Sequence, residues 1–327
     1  MKIRDALDNF SNVKVLVIGD LMLDQYIKGN VDRISPEAPV QVVNYNSTEN
    51  VPGGAGNVVF NLAQLGVQVF VCGVVGNDIH KDILFERLKM SNININNVVI
   101  DESRPTTVKQ RIVAWDKHQL LRVDYEDKNF INKNIEDRII NGIMELIKDI
   151  DIILISDYAK GVITKDLVEK LVKISKENNK KIIVDAKPIN FEYFKGVDLI
   201  EPNINEAEKM ANVFNDVGLA GKIISEKLNS HVFITRGKDG VSVFEKGKKP
   251  VHIKTHVEEV FDVTGAGDTF MAISALGLAT GLSYIDSAKL ANIAAGIVVQ
   301  KKGTSFLSLD ELKRNLEYLK SNGMLIE

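Results

Sequence analysis

The chain is poor in the residues that staple small scaffolds together. Cys72 is the only cysteine among 327 residues and lies in the apolar run Val69-Phe70-Val71-Cys72. A disulfide within the chain is therefore excluded, and a buried thiol is expected. The five histidines show no metal-ligand spacing. His252 and His256 stand four apart, but their segment reads as strand and turn, so a zinc pair on one helix face is not expected. Neither sign of charge dominates: 41 Lys and Arg oppose 44 Asp and Glu, for a net charge of −3. That balance argues against nucleic acid or an anionic membrane as a partner. No apolar run approaches membrane-spanning length, and the N-terminus lacks the charged-then-apolar pattern of an export signal. The expectation is a soluble cytoplasmic protein. Internal repeats, low-complexity tracts and long linkers are absent too, and so is any Gly-x-x-x-x-Gly-Lys-Ser/Thr phosphate loop.

What is present suits a sizeable core, with 45% apolar and 26% charged residues. Short β-branched runs recur at Val13–Gly19, Val69–Val75, Ile152–Ser156, Ile182–Asp185, Asp198–Ile200 and Val232–Thr235. Between them lie helical stripes, Ile79-Ile83-Leu84-Leu88 behind a capping Asp78 and Ile135-Ile139-Ile140-Ile143. Ser283 with Asp286 opens a helix through Gly296, and Ser308 with Glu311 opens another. Segment Asn212–Gly221 reads as a surface loop or a frayed helix end. Continuous apolar strands alternating with amphipathic helices predict a doubly wound α/β fold, a mainly parallel sheet with helices on both faces. Polar residues at strand ends (Asp20, Asp157, Asp185, Asn203) fit ligand binding beyond the carboxyl edge.

Two stretches break the pattern. Residues 38–49 and 106–124 read as antiparallel strands with one wet face, forming a small lid inserted at about 25–50 and 104–125 of a single domain. Thr107, Lys109, Arg111, Val113 and Trp115 share one side of the second stretch. Lys109 and Arg111 then make either a two-pronged cationic grip or a merely solvated face. Arg122 and Asp124 also share a side.

Chemistry concentrates in Phe261-Asp262-Val263-Thr264-Gly265-Ala266-Gly267-Asp268-Thr269-Phe270. A glycine-rich turn feeding a helix offers free amides and the positive end of the helix dipole to an anion. Asp268 at its mouth is either a helix cap or a base that takes the proton of a hydroxyl attacking a phosphoryl group. Gly53-Gly54-Ala55-Gly56-Asn57 allows close approach to backbone but is not Gly-x-Gly-x-x-Gly. Asn203-Ile204-Asn205-Glu206 reads equally as a capping box and as a partner for hydrated magnesium. Thr235-Arg236-Gly237 closes a strand with a basic turn that suits nucleotide phosphates or a plain hairpin.

Taken in order, Gly19-Asp20, Gly53-Gly54-Ala55-x-Asn57, Pro202-Asn203-x-x-Glu206, Thr235-Arg236-Gly237, Asp262-x-Thr264-Gly265-Ala266-Gly267-Asp268-Thr269-Phe270 and Asn292-x-Ala294-Ala295-Gly296 closely resemble the ribokinase-like carbohydrate kinases. The resemblance runs from about residue 13 to 310. Gly19-Asp20-x-Met22-Leu23-Asp24, Arg33-Ile34-Ser35-Pro36-Glu37-Ala38-Pro39-Val40, Thr107–Arg111 and Ser156-Asp157-Tyr158-Ala159-Lys160-Gly161 look like the heptose 7-phosphate kinases of that family. Gly56, in place of the usual alanine, and Ala186, in place of proline, depart from them.

The resemblance implies ATP-dependent phosphorylation of a sugar phosphate. Asp268 would be the base, with Gly265, Ala266 and Gly267 as the anion hole. Asp20, Asp24, Arg33, Gly53, Gly54, Asn57, Asp157 and Lys160 would surround the sugar, and Lys109 and Arg111 would hold its phosphate. Asn203, Ile204, Asn205 and Glu206 would serve ATP phosphates, with Glu206 meeting Mg2+ through water. Thr235, Gly237, Asp262, Thr264 and Asn292 would line the nucleotide cleft. A monovalent cation and a homodimer joined through the lid sheet are further properties the family brings. The rivals are a related kinase for another sugar, such as fructose 1-phosphate, and a non-catalytic sugar-binding regulator on the same fold.

Overall fold

The structure, a computed structural model, describes residues 2–322 except 92, 116–117, 258 and 302–305. After the short helix α1 (Ile3–Asp8) comes β1 (Lys14–Gly19), dry on both sides. Val15 and Val17 enter one apolar cluster, Leu16 and Ile18 the other. A strand of this kind belongs in the middle of a sheet covered on both faces. Accordingly β1 pairs in parallel with β4 (Gln68–Val75) and β8 (Ile152–Ser156). From β8 the sheet continues through β9 (Lys181–Asp185), β10 (Leu199–Ile200) and β11 (His231–Thr235), all parallel. It then turns antiparallel through β12 (Val241–Phe244) and β13 (Val251–Ile253), while β5 (Asn94–Ile100) lies parallel to β4 at the other edge. The order is β13-β12-β11-β10-β9-β8-β1-β4-β5.

One face is covered by α2 (Ala55–Gln64), α3 (Ile79–Met90), α8 (Ala266–Ala279), α9 (Tyr284–Val299) and α10 (Leu309–Ser321). The other carries α4 (Lys133–Leu146), α5 (Lys165–Glu177), α6 (Ile204–Ala211) and α7 (Val217–Leu228). Side-chain caps start most of them: Asp78 accepts from Lys81 N at 3.0 Å, Thr164 from Leu167 N at 3.0 Å, and Ser308 from Glu311 N at 3.2 Å. Among the described residues no helix is long and apolar enough to cross a membrane.

A second sheet has the order β3-β2-β6-β7, built from β2 (Leu21–Ile34), β3 (Gln41–Gly54), β6 (Thr107–Ala114) and β7 (His118–Tyr125). β2 springs directly from the end of β1, pairs antiparallel with β3 and runs parallel to β6 from Met22↔Thr107 to Gly29↔Ala114. β6 and β7 form a hairpin in which Lys109 faces Asp124 and Arg111 faces Arg122.

Several boundaries differ from the sequence expectation. The strand anticipated within 38–49 runs from Gln41 to Gly54, because Leu21↔Gly54 pairing carries it into the core. Trp115 does not continue the Lys109–Arg111 face: β6 ends at Ala114 and Trp115 turns with φ 42°. Segment 212–221 is loop only to Asp216, whose carboxylate accepts from Leu219 N at 2.9 Å and starts α7. In α3 the stripe is shorter than its spacing implies, since Ile79 is 65% exposed while Leu84 and Leu88 are buried. Strands β5, β12 and β13 were not indicated by a β-branched run, β5 being rich in asparagine.

Candidate active site

Helix α8 begins at Gly265, whose φ of 81° is a left-handed conformation that a glycine adopts without strain. The turn before it is held by Asp262 Oδ1 accepting from Thr264 N at 2.9 Å. Among the described residues the amides of Gly265, Gly267 and Asp268 have no protein acceptor. Ala266 N, however, donates to Val263 O at 3.3 Å. The amides open to an anion at this turn are therefore those of Gly265, Gly267 and Asp268, whereas the expected Ala266 amide is engaged within the turn. Phosphate at such an amide cluster also meets the positive end of the α8 dipole.

Asp268 does not cap its own helix. Its Oδ2 accepts from Asn57 Nδ2 and its Oδ1 from the Tyr158 hydroxyl at 3.2 Å. Burial pushes its carboxyl up to about 6, against the pull of those two bonds and of Lys187. Asn57 sits in the first turn of α2, and that helix is tied to α8 by Thr269 Oγ1 donating to Asn61 Oδ1 at 2.8 Å. Asn57 Oδ1 is buried without a protein donor. The Asp268 carboxylate is thus aimed by an asparagine from one helix and a tyrosine from the loop after β8.

The small sheet forms the opposite wall. Asp24 pairs with Arg111 at 2.5 Å, and both are about one-fifth exposed. Gly53 is required by that arrangement, since a Cβ there would lie 2.1 Å from Asp24 Oδ2. Gly54, with φ 56°, closes β3 and leads into α2. Lys109, Arg111 and Arg122 share the face of Asp24 and Tyr26. Arg122 is forked onto Asp124 at 2.8 and 3.0 Å. Lys109 makes no ion pair among the described residues. Burial lowers its ammonium's affinity for a proton, Asp24 opposes that, and Lys160, Arg122 and Arg111 add to it.

Some residues assigned to the sugar by resemblance are otherwise engaged. Asp20 is 1% exposed, and its oxygens accept from Tyr158 N at 2.7 Å, Lys160 N at 3.1 Å and Val162 N at 3.3 Å. A carboxylate has about four acceptor positions. With three of them filled, Asp20 holds the 157–162 loop in place. Burial beside the Asp157 carboxylate pushes it up to about 6. Asp157 is also 1% exposed; it accepts from Ala159 N, Lys187 N and Asn190 Nδ2, tying the loops after β8 and β9 together. Lys160 Nζ is bound to Glu126 Oε2. Arg33 lies nine residues past Asp24 on β2, exposed, opposite Val42. At about 3.3 Å of rise per residue, up to roughly 30 Å of strand separates it from Asp24.

On the nucleotide side, Asn203 and Glu206 form the capping box of α6: Glu206 N donates to Asn203 Oδ1 at 3.0 Å and Asn203 N to Glu206 Oε2 at 3.1 Å. The amides of Ile204 and Asn205 have no acceptor among the described residues. Thr235 bridges to Asn203, and Gly237 opens the next turn with φ 56°. Asn292 Nδ2 donates to Lys254 O at 3.0 Å beside a cavity of about 230 Å³ lined by Thr255, Val257, Gly296 and Tyr318. Among the described residues no group of three or more His, Cys, Asp or Glu side chains is placed to hold a metal ion directly, so a divalent ion here would be held mainly through water. Burial pushes Asp185 up to about 7, with Lys187 pulling back and Glu206 and Asp268 pushing further.

Tyr158, Lys187 and Arg122 lie among these residues and are not singled out as site residues by the sequence, whereas Asp185 is marked there as a polar strand end. Two signals were available: Tyr158 stands inside the Ser156–Gly161 motif, and Lys187 follows the acidic end of β9 by two positions.

The sequence profile described as "pfkB family carbohydrate kinase" matches residues 12–312. A bifunctional protein HldE of Desulfatibacillum aliphaticivorans is 42% identical over 313 residues, covering 94% of this chain and 64% of that protein. One from Geobacter sulfurreducens is 40% identical over 316 residues, covering 95% and 64%. The chain thus spans 64% of the length of these relatives. Among solved structures, phosphofructokinase-2 from Escherichia coli in complex with potassium superposes with a TM-score of 0.76 at 17% identity, over 94% of this chain and 99% of that one. Arabidopsis thaliana ribokinase complexed with ribose and ATP gives 0.73 at 20%, over 93% and 99%. The fold is ribokinase-like, and the chain belongs to the pfkB family of carbohydrate kinases, which phosphorylate sugars with ATP and a divalent metal.

Proposed function

We propose that this kinase phosphorylates the anomeric hydroxyl of D-glycero-β-D-manno-heptose 7-phosphate, giving the 1,7-bisphosphate. The observation that carries the reading is the cationic face of the small sheet. Arg111 and Arg122 stand directly opposite each other, each paired with one carboxylate, Asp24 and Asp124, while Lys109 beside them makes no ion pair among the described residues, so three cations share this face with two carboxylates and one positive charge is left over for an anion. Asp24 links this face to the base, pairing with Arg111 and acting electrostatically on Asp268. A substrate that already carries a phosphate fits between the two. The motif resemblance and the relatives named HldE, 38–42% identical in the kinase region, support the same sugar.

In the reaction the sugar sits between Asp268 and the face of Lys109 and Arg111, and ATP lies along α6 and α9 with its terminal phosphoryl at the amides of Gly265, Gly267 and Asp268. Mg2+ would be held through water by Glu206 and would neutralise phosphate charge. Asp268 takes the hydroxyl proton, the amides stabilise charge on the transferring group, and the small sheet keeps water away from it. We also assign this activity to the cytoplasm, where ATP is supplied, and to a homodimer joined through the small sheet. Ile34, Val40, Tyr45 and Leu121 on that sheet's strands and loop are more than half exposed.

The decisive experiment is ADP release across a panel of free sugars and sugar phosphates, fructose 1-phosphate included. The heptose 7-phosphate is expected to give the highest kcat/KM. Arg111→Ala is expected to raise its KM about tenfold or more, the scale of a lost charged contact, while KM for ATP stays near wild type. Equal effects on both substrates, or a better turnover of an unphosphorylated sugar, would exclude the phosphate grip.

A further inference from the structure

Where the phosphoryl group would cross from nucleotide to sugar, carboxylates outnumber cations. Asp157, Asp185, Glu206 and Asp268 all act electrostatically on one ammonium, that of Lys187. Its backbone amide is fixed by Asp157 Oδ2 at 3.2 Å. Its Nζ lies 2.6 Å from Glu206 Oε1, with the side chain one-third exposed. It also stands 5.3 Å from the centre of the Tyr158 ring, whose hydroxyl donates to Asp268. Burial works against the charge, yet Asp185 and Glu206 hold the ammonium above its ordinary range.

We propose that Lys187 is a catalytic cation that binds the terminal phosphoryl group of ATP and follows it during transfer. The proposal rests on reading Asp268 as the base and Asn203–Glu206 as the phosphate end of the nucleotide site. An ammonium has three protons to donate, and the Glu206 carboxylate is the one side-chain acceptor bonded to it among the described residues. The remaining donors are open to phosphoryl oxygens. Transfer spreads negative charge over those oxygens. Surrounding carboxylates would oppose that charge, and Lys187 is placed to offset it. The sugar oxygen forms its bond to the terminal phosphorus as the bond from that phosphorus to the bridging oxygen breaks. ADP leaves with the electron pair, the hydroxyl proton goes to Asp268, and Lys187 keeps its own protons throughout.

Calorimetry on the full chain with magnesium and either ADP or a non-hydrolysable ATP analogue tests this without depending on the sugar. Lys187→Gln is expected to bind ADP as wild type does and the triphosphate analogue about tenfold more weakly, since only the latter offers the group Lys187 contacts. With a turned-over sugar phosphate, kcat should fall roughly 10²–10³-fold, the cost of one lost transition-state donor. Lys187→Arg should recover part of that kcat, because the charge is kept. Equal weakening of ADP and the triphosphate, or an unchanged affinity for both, would overturn the proposal. So would a lowered melting temperature as the sole effect, which marks a structural lysine. If wild type binds the triphosphate but turns over no heptose 7-phosphate, the sugar reading fails, and the ratio of the two nucleotide affinities still judges Lys187.

Discussion

Asp268 illustrates how much one residue's environment decides. A carboxylate in water would be too weak a base to matter, but burial raises this one to about 6, while Asn57 and Tyr158 keep it aimed and partly stabilise its charge. The base must be ionised to accept a proton. Since its pKa in the fold is raised, kcat/KM is expected to be flat above about pH 7 and to fall tenfold per unit below about pH 6. Asp268→Asn removes the proton acceptor yet leaves an amide that still pairs with Asn57 and Tyr158. Turnover should drop on the order of 10²–10⁴-fold with nucleotide affinity little changed. Rapid-quench measurement of ADP formation checks the first, and calorimetry the second. An acid limb that persists in the residual activity of this variant, at the same midpoint, would point to another group.

At the scale of elements, the sequence reveals most where a single periodicity dominates. The runs of β1, β4, β8, β9 and β11 are apolar on both faces, so local pattern and tertiary position agree. The Gly265–Asp268 turn is readable as the start of α8, because a glycine free to take a left-handed conformation leads straight into a run of helix formers. What stays hidden depends on long-range partners. Asp20 and Asp157 look like ligand-facing acids from their place at strand ends. Only the folded loops show that amides of residues 158–162 and 187 already occupy them. Lys187 gives no periodic signal at all, and its meaning comes from Glu206, nineteen positions on. The same holds for Glu136 of α4, which accepts from Lys170 and Thr164 of the neighbouring α5 region at 2.8 Å each and from Lys133 at 2.6 Å. Although burial opposes it, those donors bring its carboxyl down to about 2 from 4.5. Its contribution is therefore complete above pH 4.5 and lost as pH falls towards 2. Glu136→Gln should lower stability by about 1–3 kcal/mol at neutral pH. Urea unfolding should show that deficit closing on acidification, and an unchanged midpoint at pH 7 would show that the helix pair does not need the charge.

The whole molecule carries the opposite tendency at the carboxyl edge of its large sheet. Parallel strands all end there, so Asp20, Asp157, Asp185 and Glu201 collect in one dry layer, each raised above the ordinary carboxylate range first of all by burial. Glu201 is the furthest displaced, at about 8, with Ser274 Oγ donating to its Oε1 at 2.6 Å and no partner on its buried Oε2. The unfolded chain releases this proton near pH 4.5, whereas the folded chain keeps it to about pH 8. Between those values the folded state binds more protons, so stability must fall as pH rises across the window. Glu201→Gln keeps an acceptor for Ser274 and removes the titration. Near pH 4.5 the variant should match wild type to within about 1 kcal/mol. By pH 8.5 it should be the more stable, by roughly 5 kcal/mol, at about 1.4 kcal/mol per unit over the displacement from 4.5 to about 8. Unfolding free energies of the two proteins from pH 5 to 8.5 supply the measurement. If the two curves run parallel, Glu201 is ionised in the folded protein and some cation within the layer must compensate it. If they diverge as stated, this edge stores a protonated acid beside Asp185, and the charge that ATP and its metal meet on arrival is correspondingly smaller than the count of carboxylates implies.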